Sequence, residues 1–266
     1  MTFLPILFIM QLIDTHCHLY DEAFDSDRAE AVARAEAAGV VLMLLPDIDA
    51  TSVARQEQLA ESRPSLFREM VGLHPTSVGD DFEAALDVVE RRLRSCPQRY
   101  VAVGEVGMDL YWDRTFAEQQ REALRRQMLL AEEFGLPVAL HIRKAHNEVF
   151  GLLRDLGRGA YQGVMHCFGG SVQEAQKAVE MGFHLGIGGV VTFKNATMAD
   201  VVRAIPLERL LLETDAPYLA PVPFRGKRNE SAFIVQVAKK IAEIKSLSLD
   251  EVAEQTTINA RNLFCL

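Results

Sequence analysis

The chain has 266 residues, 49% of them hydrophobic and 24% charged, with a net charge of −9. That length suffices for one large core or two small ones, and the composition is that of an ordinary folded soluble domain. The negative balance excludes a protein that coats nucleic acid through its global charge, but it allows a local basic patch in a cleft.

The opening stretch "MTFLPILFIM" is apolar but lacks a basic flank and a small-residue cleavage site, so it makes a poor signal peptide. It is too short to span a bilayer, and no other stretch approaches that length. Met10 is an alternative start, which makes residues 1–10 an upstream extension and residues 11–266 a single domain. No linker, low-complexity tract or internal repeat divides that domain. Cys17, Cys96, Cys167 and Cys265 form no CxxC pair and no compact disulfide pattern. Reduced thiols in a cytoplasmic protein are the simplest reading.

Short apolar runs recur along the chain, each followed by a longer helical pattern. They are LIDTHCH (12–18), VVLMLLP (40–46), REMVGLHP (68–75) and YVAVGEVGMD (100–109). PVALHIR (137–143), GVMHCF (163–168), FHLGIGG (183–189) and RLLLETDAP (209–217) complete the set. Between them lie amphipathic segments such as DRAEAVARAEAAG (27–39) and FAEQQREALRRQMLLAEEFG (116–135), both ending in a glycine stop. Near-continuous apolar runs predict parallel strands covered on both faces. Eight of them alternating with helices predict an α/β fold of the (β/α)8 TIM-barrel type, with a doubly wound open sheet as runner-up. The last helical pattern, SLDEVAEQTTINARNLF (248–264), opens on a Ser/Asp capping pattern and is expected to close the barrel.

Chemistry enters at the first run. Strand alternation places His16 and His18 on one face and Cys17 on the other. Two imidazoles side by side make half of a divalent-metal site. Two histidines hydrogen-bonded at a strand end would look the same, so the remaining ligands decide. A sulfur ligand is conceivable because Cys17 and Cys167 each adjoin a histidine, yet alternation points Cys17 away.

In a (β/α)8 barrel the chemistry sits at the C-terminal ends of the strands. There stand His16 and His18, then His74, then Glu105 with Asp109 in the loop, then His141 and Arg143, then His166, then Glu213 and Asp215. Five of the seven histidines fall at these ends; His146 and His184 do not. Four imidazoles and two carboxylates exceed what one tetrahedral zinc needs and suit two metals bridged by a carboxylate. Glu213, on the other strand face from Thr214, reads as structural.

For substrate, FRGKRNE (224–230) places Arg225, Lys227 and Arg228 directly after the last strand. Arg143 follows a candidate ligand, and His74 caps the third strand. Guanidiniums grip phosphate bidentately. A solvated loop is the plain alternative for the basic cluster. Tyr111 and Trp112 could stack on bases or pack their own loop, and Tyr218 and Phe224 carry the same ambiguity.

Together IDTHCH, GLHP, GEVGMDLYWD, HIRKA, MHCFGG and LLETDAPYL with RGKRNE resemble the TatD family of metal-dependent deoxyribonucleases, a branch of the amidohydrolase-like barrels. The resemblance runs from about residue 11 to the C-terminus. It implies that His16, His18, Glu105 and Asp215 bind one divalent ion, Zn, Mg or Mn. It implies that Glu105 bridges to a second, held by His141 and His166. A glutamate in this place is similar to the TatD pattern, where other amidohydrolase-like barrels use a carboxylated lysine. Paired cations lower the pKa of a shared water, and Asp215 would orient that water and take its proton. The resemblance further implies cleavage of DNA phosphodiester bonds, of 3′-to-5′ exonuclease type on single strands. DNA would be held locally at the barrel mouth, with no membrane and no obligate protein partner. One departure is visible. Asn229-Glu230-Ser231 stands where many members read Asn-Glu-Pro, which is expected to alter loop stiffness and not the metals. Two competitors remain: the same barrel acting on a carboxyl ester, lactone or aminoacyl-tRNA ester, and a metal-binding scaffold without turnover.

Overall fold

Buried apolar runs that alternate with amphipathic helices pair as parallel strands, in sequence order when the sheet closes into a barrel. The computed structural model describes residues 10–157, 161–194 and 197–266; the expected extension, Met10 apart, lies outside them. The strands are β1 (Leu12–Asp14), β2 (Val40–Leu45), β3 (Phe67–Val71), β4 (Tyr100–Asp109), β5 (Val138–Arg143), β6 (Gly163–Met165), β7 (Phe183–Ile187) and β8 (Leu210–Leu212). They form one parallel sheet in the order β1 to β8. The ring closes where the Thr15 N–H donates to the Leu212 carbonyl at 3.0 Å and Cys17 bridges to Ala216. The (β/α)8 barrel is therefore correct and the open sheet is not.

The surrounding helices are α1 (Arg28–Ala37), α2 (Val53–Ser62), α3 (Phe82–Ser95), α4 (Ala117–Phe134), α5 (His146–Leu156), α6 (Val172–Glu180), α7 (Met198–Ala204), α8 (Ile234–Lys245) and α9 (Leu249–Phe264). Their limits follow local rules. Gly135 ends α4 in the left-handed conformation, φ 63°. Ser248 and Glu251 form a reciprocal capping box at the start of α9.

Alternation along the strands builds two apolar layers. Met43 and Leu45 face the helices, and Leu42 and Leu44 face the barrel interior with Ile13, Met70, Ala102, Ala139, Val164 and Leu211. Ala260, Leu263 and Phe264 of α9 pack into that inner cluster and seal the barrel floor. Polar groups of α9 there tie down backbone, as Asn259 Nδ2 does by donating to the Leu207 and Leu210 carbonyls, and the clustered histidines and carboxylates collect at the opposite end. No helix among the described residues is long and apolar enough to cross a membrane.

Several strands are shorter than the apolar runs suggested. β1 stops at Asp14, β6 at Met165 and β8 at Leu212, so His16, His18, His166 and Asp215 stand just past the ladder. The backbone there turns through left-handed conformations at Cys167, φ 43°, and Asp215, φ 56°. No strand residue adopts them, which is why the apolar pattern overran the true ends.

Candidate active site

Glu105 stands at the centre of the strand ends, 3% exposed. Its two carboxylate oxygens face different histidines. Oε2 lies 3.1 Å from His16 Nε2 and 3.6 Å from His18 Nε2. Oε1 lies 2.8 Å from His141 Nδ1, 3.2 Å from His166 Nε2 and 3.3 Å from His74 Nε2. Asp215 Oδ1 adds a carboxylate 3.6 Å from His18 Nε2 and 4.0 Å from His16 Nε2. Close backbone approach makes this possible. A Cβ on Gly107, at φ 151°, would sit 1.9 Å from the His141 carbonyl oxygen, so only glycine lets β5 bring His141 beside Glu105.

A second ring of groups aims these side chains. Tyr20 Oη donates to the Pro46 carbonyl at 2.6 Å, so it must accept from His18 Nδ1 at 2.8 Å. The His18 Nε2 lone pair is thereby left facing the site. Asp109 Oδ2 lies 3.0 Å from His141 Nε2 and turns its other nitrogen to Glu105. Glu213 Oε1 lies 3.2 Å from His166 Nδ1 and accepts the Cys167 N–H at 2.6 Å. Glu213 is fully buried, and a Cβ on Gly186 would meet its Oε2 at 2.1 Å. Glu213, read as structural, thus stands behind a candidate ligand and faces His166 Nδ1. Its i, i+2 spacing to Asp215 was the available signal, the same spacing that singled out His16 and His18.

Charge in this pocket is strongly coupled. Burial opposes ionisation of Glu105, yet His74, His166 and His16 around it and the His141 hydrogen bond hold its carboxyl well below the usual range. Burial likewise opposes charge on His166, but Glu213 and Glu105 push it well above the ordinary imidazole value. His141 is raised against burial by Asp109 and Glu105. Burial lowers His16, helped by His166. Asp215 is held low, against burial, by His18, His166 and His16. Carboxylates this deeply buried call for positive charge beside them.

Divalent cations would balance them, and the donor chemistry fits. Ligand atoms within 4.8 Å of one another come from His16, His18 and Glu105, from His16, His166 and Asp215, and from His74, Glu105 and His141. These groups cut across the two sets implied by the family resemblance. His74 joins Glu105 and His141, and His166 stacks on His16 with ring centroids 3.5 Å apart. Neither cysteine beside a histidine belongs to any group. Cys17 is buried with its Sγ 3.8 Å from the Leu44 carbonyl, and burial pushes both thiols up.

His74 begins a short turn after β3. Its Nδ1 accepts from the Thr76 N–H at 3.1 Å and the Thr76 hydroxyl at 2.6 Å, so its Nε2 carries the proton toward Glu105. Arg143 and His74 line a cleft of about 1310 Å³ together with Glu105, His141, His166, Asp215, Trp112 and Tyr218. The basic cluster after β8 does not line it. Arg228 pairs bidentately with Asp27 at 2.6 and 2.8 Å and lies over the Phe24 ring. Asp27 and Glu230 both bind Arg34, and Asn229 Nδ2 donates to the Thr214 and Tyr218 carbonyls. The RGKRNE stretch is a latch on the loop that carries Asp215. Arg225 lies over Phe193 and Lys227 is exposed, both outside the cleft lining. Ser231, at the departure from Asn-Glu-Pro, is buried and absent from the clustered donors.

The model of the TatD related DNase family matches residues 13–265. The chain belongs to the TatD family. The YabD protein of Bacillus subtilis, described as an uncharacterized metal-dependent hydrolase, is 40% identical over 95% of this chain and 98% of its own length. A Pantoea vagans protein described as the 3′-5′ ssDNA/RNA exonuclease TatD is 34% identical, covering 96% of this chain and all of its own. The crystal structure of YjjV, a TatD homologue from Escherichia coli K12, superposes with a TM-score of 0.90 at 34% identity, over 97% of this chain and 99% of that one. This TatD-family chain is accordingly a metal-dependent hydrolase acting on ester bonds.

Proposed function

We propose that this TatD-family hydrolase removes nucleotides from the 3′ end of single-stranded DNA by phosphodiester hydrolysis. The observation that carries the reading is Glu105, whose two oxygens each face their own histidines at the floor of a long cleft. A carboxylate so placed suits two divalent ions, one on His16, His18, Glu105 and Asp215, the other on Glu105, His141 and His166. Bound ions of this kind supply Lewis-acid charge and a water of lowered pKa. Asp215, held below the ordinary carboxylate range, would be the residue to take a proton at the cleft. The His74 Nε2–H donates to a phosphate oxygen, and Arg143 neutralises the phosphate at the rim. The cleft exceeds the roughly 300–1,000 Å³ of ordinary small-molecule sites, which favours an extended strand. Four free cysteines support a reducing compartment such as the cytoplasm.

The test is a side-by-side assay of the chain reconstituted with zinc, manganese or magnesium. The substrates are 5′-labelled single-stranded DNA, RNA and a lactone panel. Stepwise loss from the 3′ end of DNA is the expected result. Turnover of a lactone with intact oligonucleotides would replace the nuclease reading with a carboxyl-ester one.

A further inference from the structure

We propose that Tyr111, Trp112 and Arg143 form a built subsite for one unpaired nucleotide, the indole taking the base and the guanidinium the phosphate. The proposal rests on the nucleic-acid reading above and names the part of the substrate that is recognised. Trp112 is 70% exposed and Tyr111 53% exposed, so neither ring is used up in packing its own loop. Aromatic surface left open at the rim of a functional cleft marks a binding face. The rings meet edge to face, with centroids 5.0 Å apart and an interplanar angle of 84°. The Arg143 guanidinium lies 4.0 Å from the Tyr111 centroid and 5.1 Å from that of Trp112. Stacking holds the arginine by its face and leaves its N–H edge free for an anion. Among the described residues Arg143 makes no ion pair, in contrast to Arg228.

The backbone holds this arrangement ready. Asp109 Oδ1 accepts the N–H of Tyr111 at 2.9 Å and of Trp112 at 3.4 Å. The Leu110 N–H donates to the Arg143 carbonyl at 2.9 Å, tying the turn to the end of β5. Rigid aromatic surface costs little conformational entropy to use. The other oxygen of Asp109 holds His141, so one carboxylate positions both the platform and a candidate metal ligand. Trp112 and Arg143 open onto the cleft that contains Glu105 and Asp215.

A flat π surface beside an uncommitted guanidinium matches a base joined to its phosphate. In a duplex the base faces are hidden in the stack, so the subsite selects unpaired strands. A bare phosphate would engage Arg143 and leave the indole untouched.

Trp112 is the one tryptophan of the chain, so its emission reads the subsite directly. The experiment titrates the intact metal-loaded chain with a hydrolysis-resistant phosphorothioate oligothymidylate, a blunt duplex of equal length, and inorganic phosphate. The single strand is expected to quench Trp112, and the duplex and phosphate are not. In anisotropy with labelled strand, Trp112→Ala should weaken binding by about tenfold, and Trp112→Phe should retain most of the affinity. Equal quenching by duplex or phosphate, or unchanged affinity in Trp112→Ala with a wild-type melting profile, would overturn the subsite. The quench involves no turnover. Strand-specific quenching without cleavage of ordinary DNA would keep the subsite and defeat the nuclease reading. Cleavage with Trp112→Ala binding unchanged would do the reverse.

Discussion

Glu105 and Asp215 are both carboxylates among the same histidines, yet their placement gives them different work. Glu105 is enclosed and shared between two groups of imidazoles, and Asp215 reaches in from one side on a left-handed backbone. Asp215→Asn should lower kcat by about 10²–10⁴-fold with a much smaller change in KM, because the proton acceptor is lost, and the metal content of the variant, measured alongside, separates that loss from a weakened ion. Steady-state kinetics on single-stranded DNA checks this, and a wild-type kcat would remove Asp215 from the proton path. Glu213→Gln should lower metal affinity by about 10–100-fold, since the negative charge facing His166 Nδ1 is lost while the amide oxygen can still accept the Cys167 N–H. Competition with a metal-chelating dye measures it. The histidines were legible because each sits at or just past an apolar run. Glu213 was not, because its role depends on the side chain of another strand and on the room made by Gly186. Tyr20 was invisible for a related reason: its hydroxyl is fixed for His18 by the Pro46 carbonyl, which comes only after β2.

Strand order and helix order could be read from periodicity, but strand ends could not. Apolar character continues past β1, β6 and β8, and the ladder stops where the backbone turns donors inward. The basic stretch after β8 has partners that its sequence does not show. Three positive charges in seven residues suggest phosphate, yet Arg228 is spent on Asp27, a residue two hundred positions away in sequence. Arg228→Ala should therefore lower the melting temperature and leave the salt dependence of oligonucleotide binding unchanged, as checked by calorimetry and by titration at several salt concentrations. A flatter salt slope would return Arg228 to the substrate. On β7, burial with Arg209 nearby holds His184 down to about 4. It stays neutral in the folded chain, and the unfolded chain takes up a proton near pH 6.5. Its contribution to stability is thus present above pH 6.5 and is lost as pH falls toward about 4. Urea unfolding across that window should show a shallower acid loss in His184→Gln than in wild type.

The whole barrel divides its labour by end. α9 seals an apolar floor, and the opposite rim gathers buried carboxylates, imidazoles and one stacked arginine within a chain of net charge −9. Such a molecule repels nucleic acid overall, so the proposed strand would be captured at the rim, where bound ions would supply much of the local positive charge. The central claim is therefore the shared glutamate. Elemental analysis of the reconstituted chain and of Glu105→Gln tests it most directly. About two divalent ions per chain in wild type, falling to about one in the variant, is the predicted result. One ion in both proteins would contradict it.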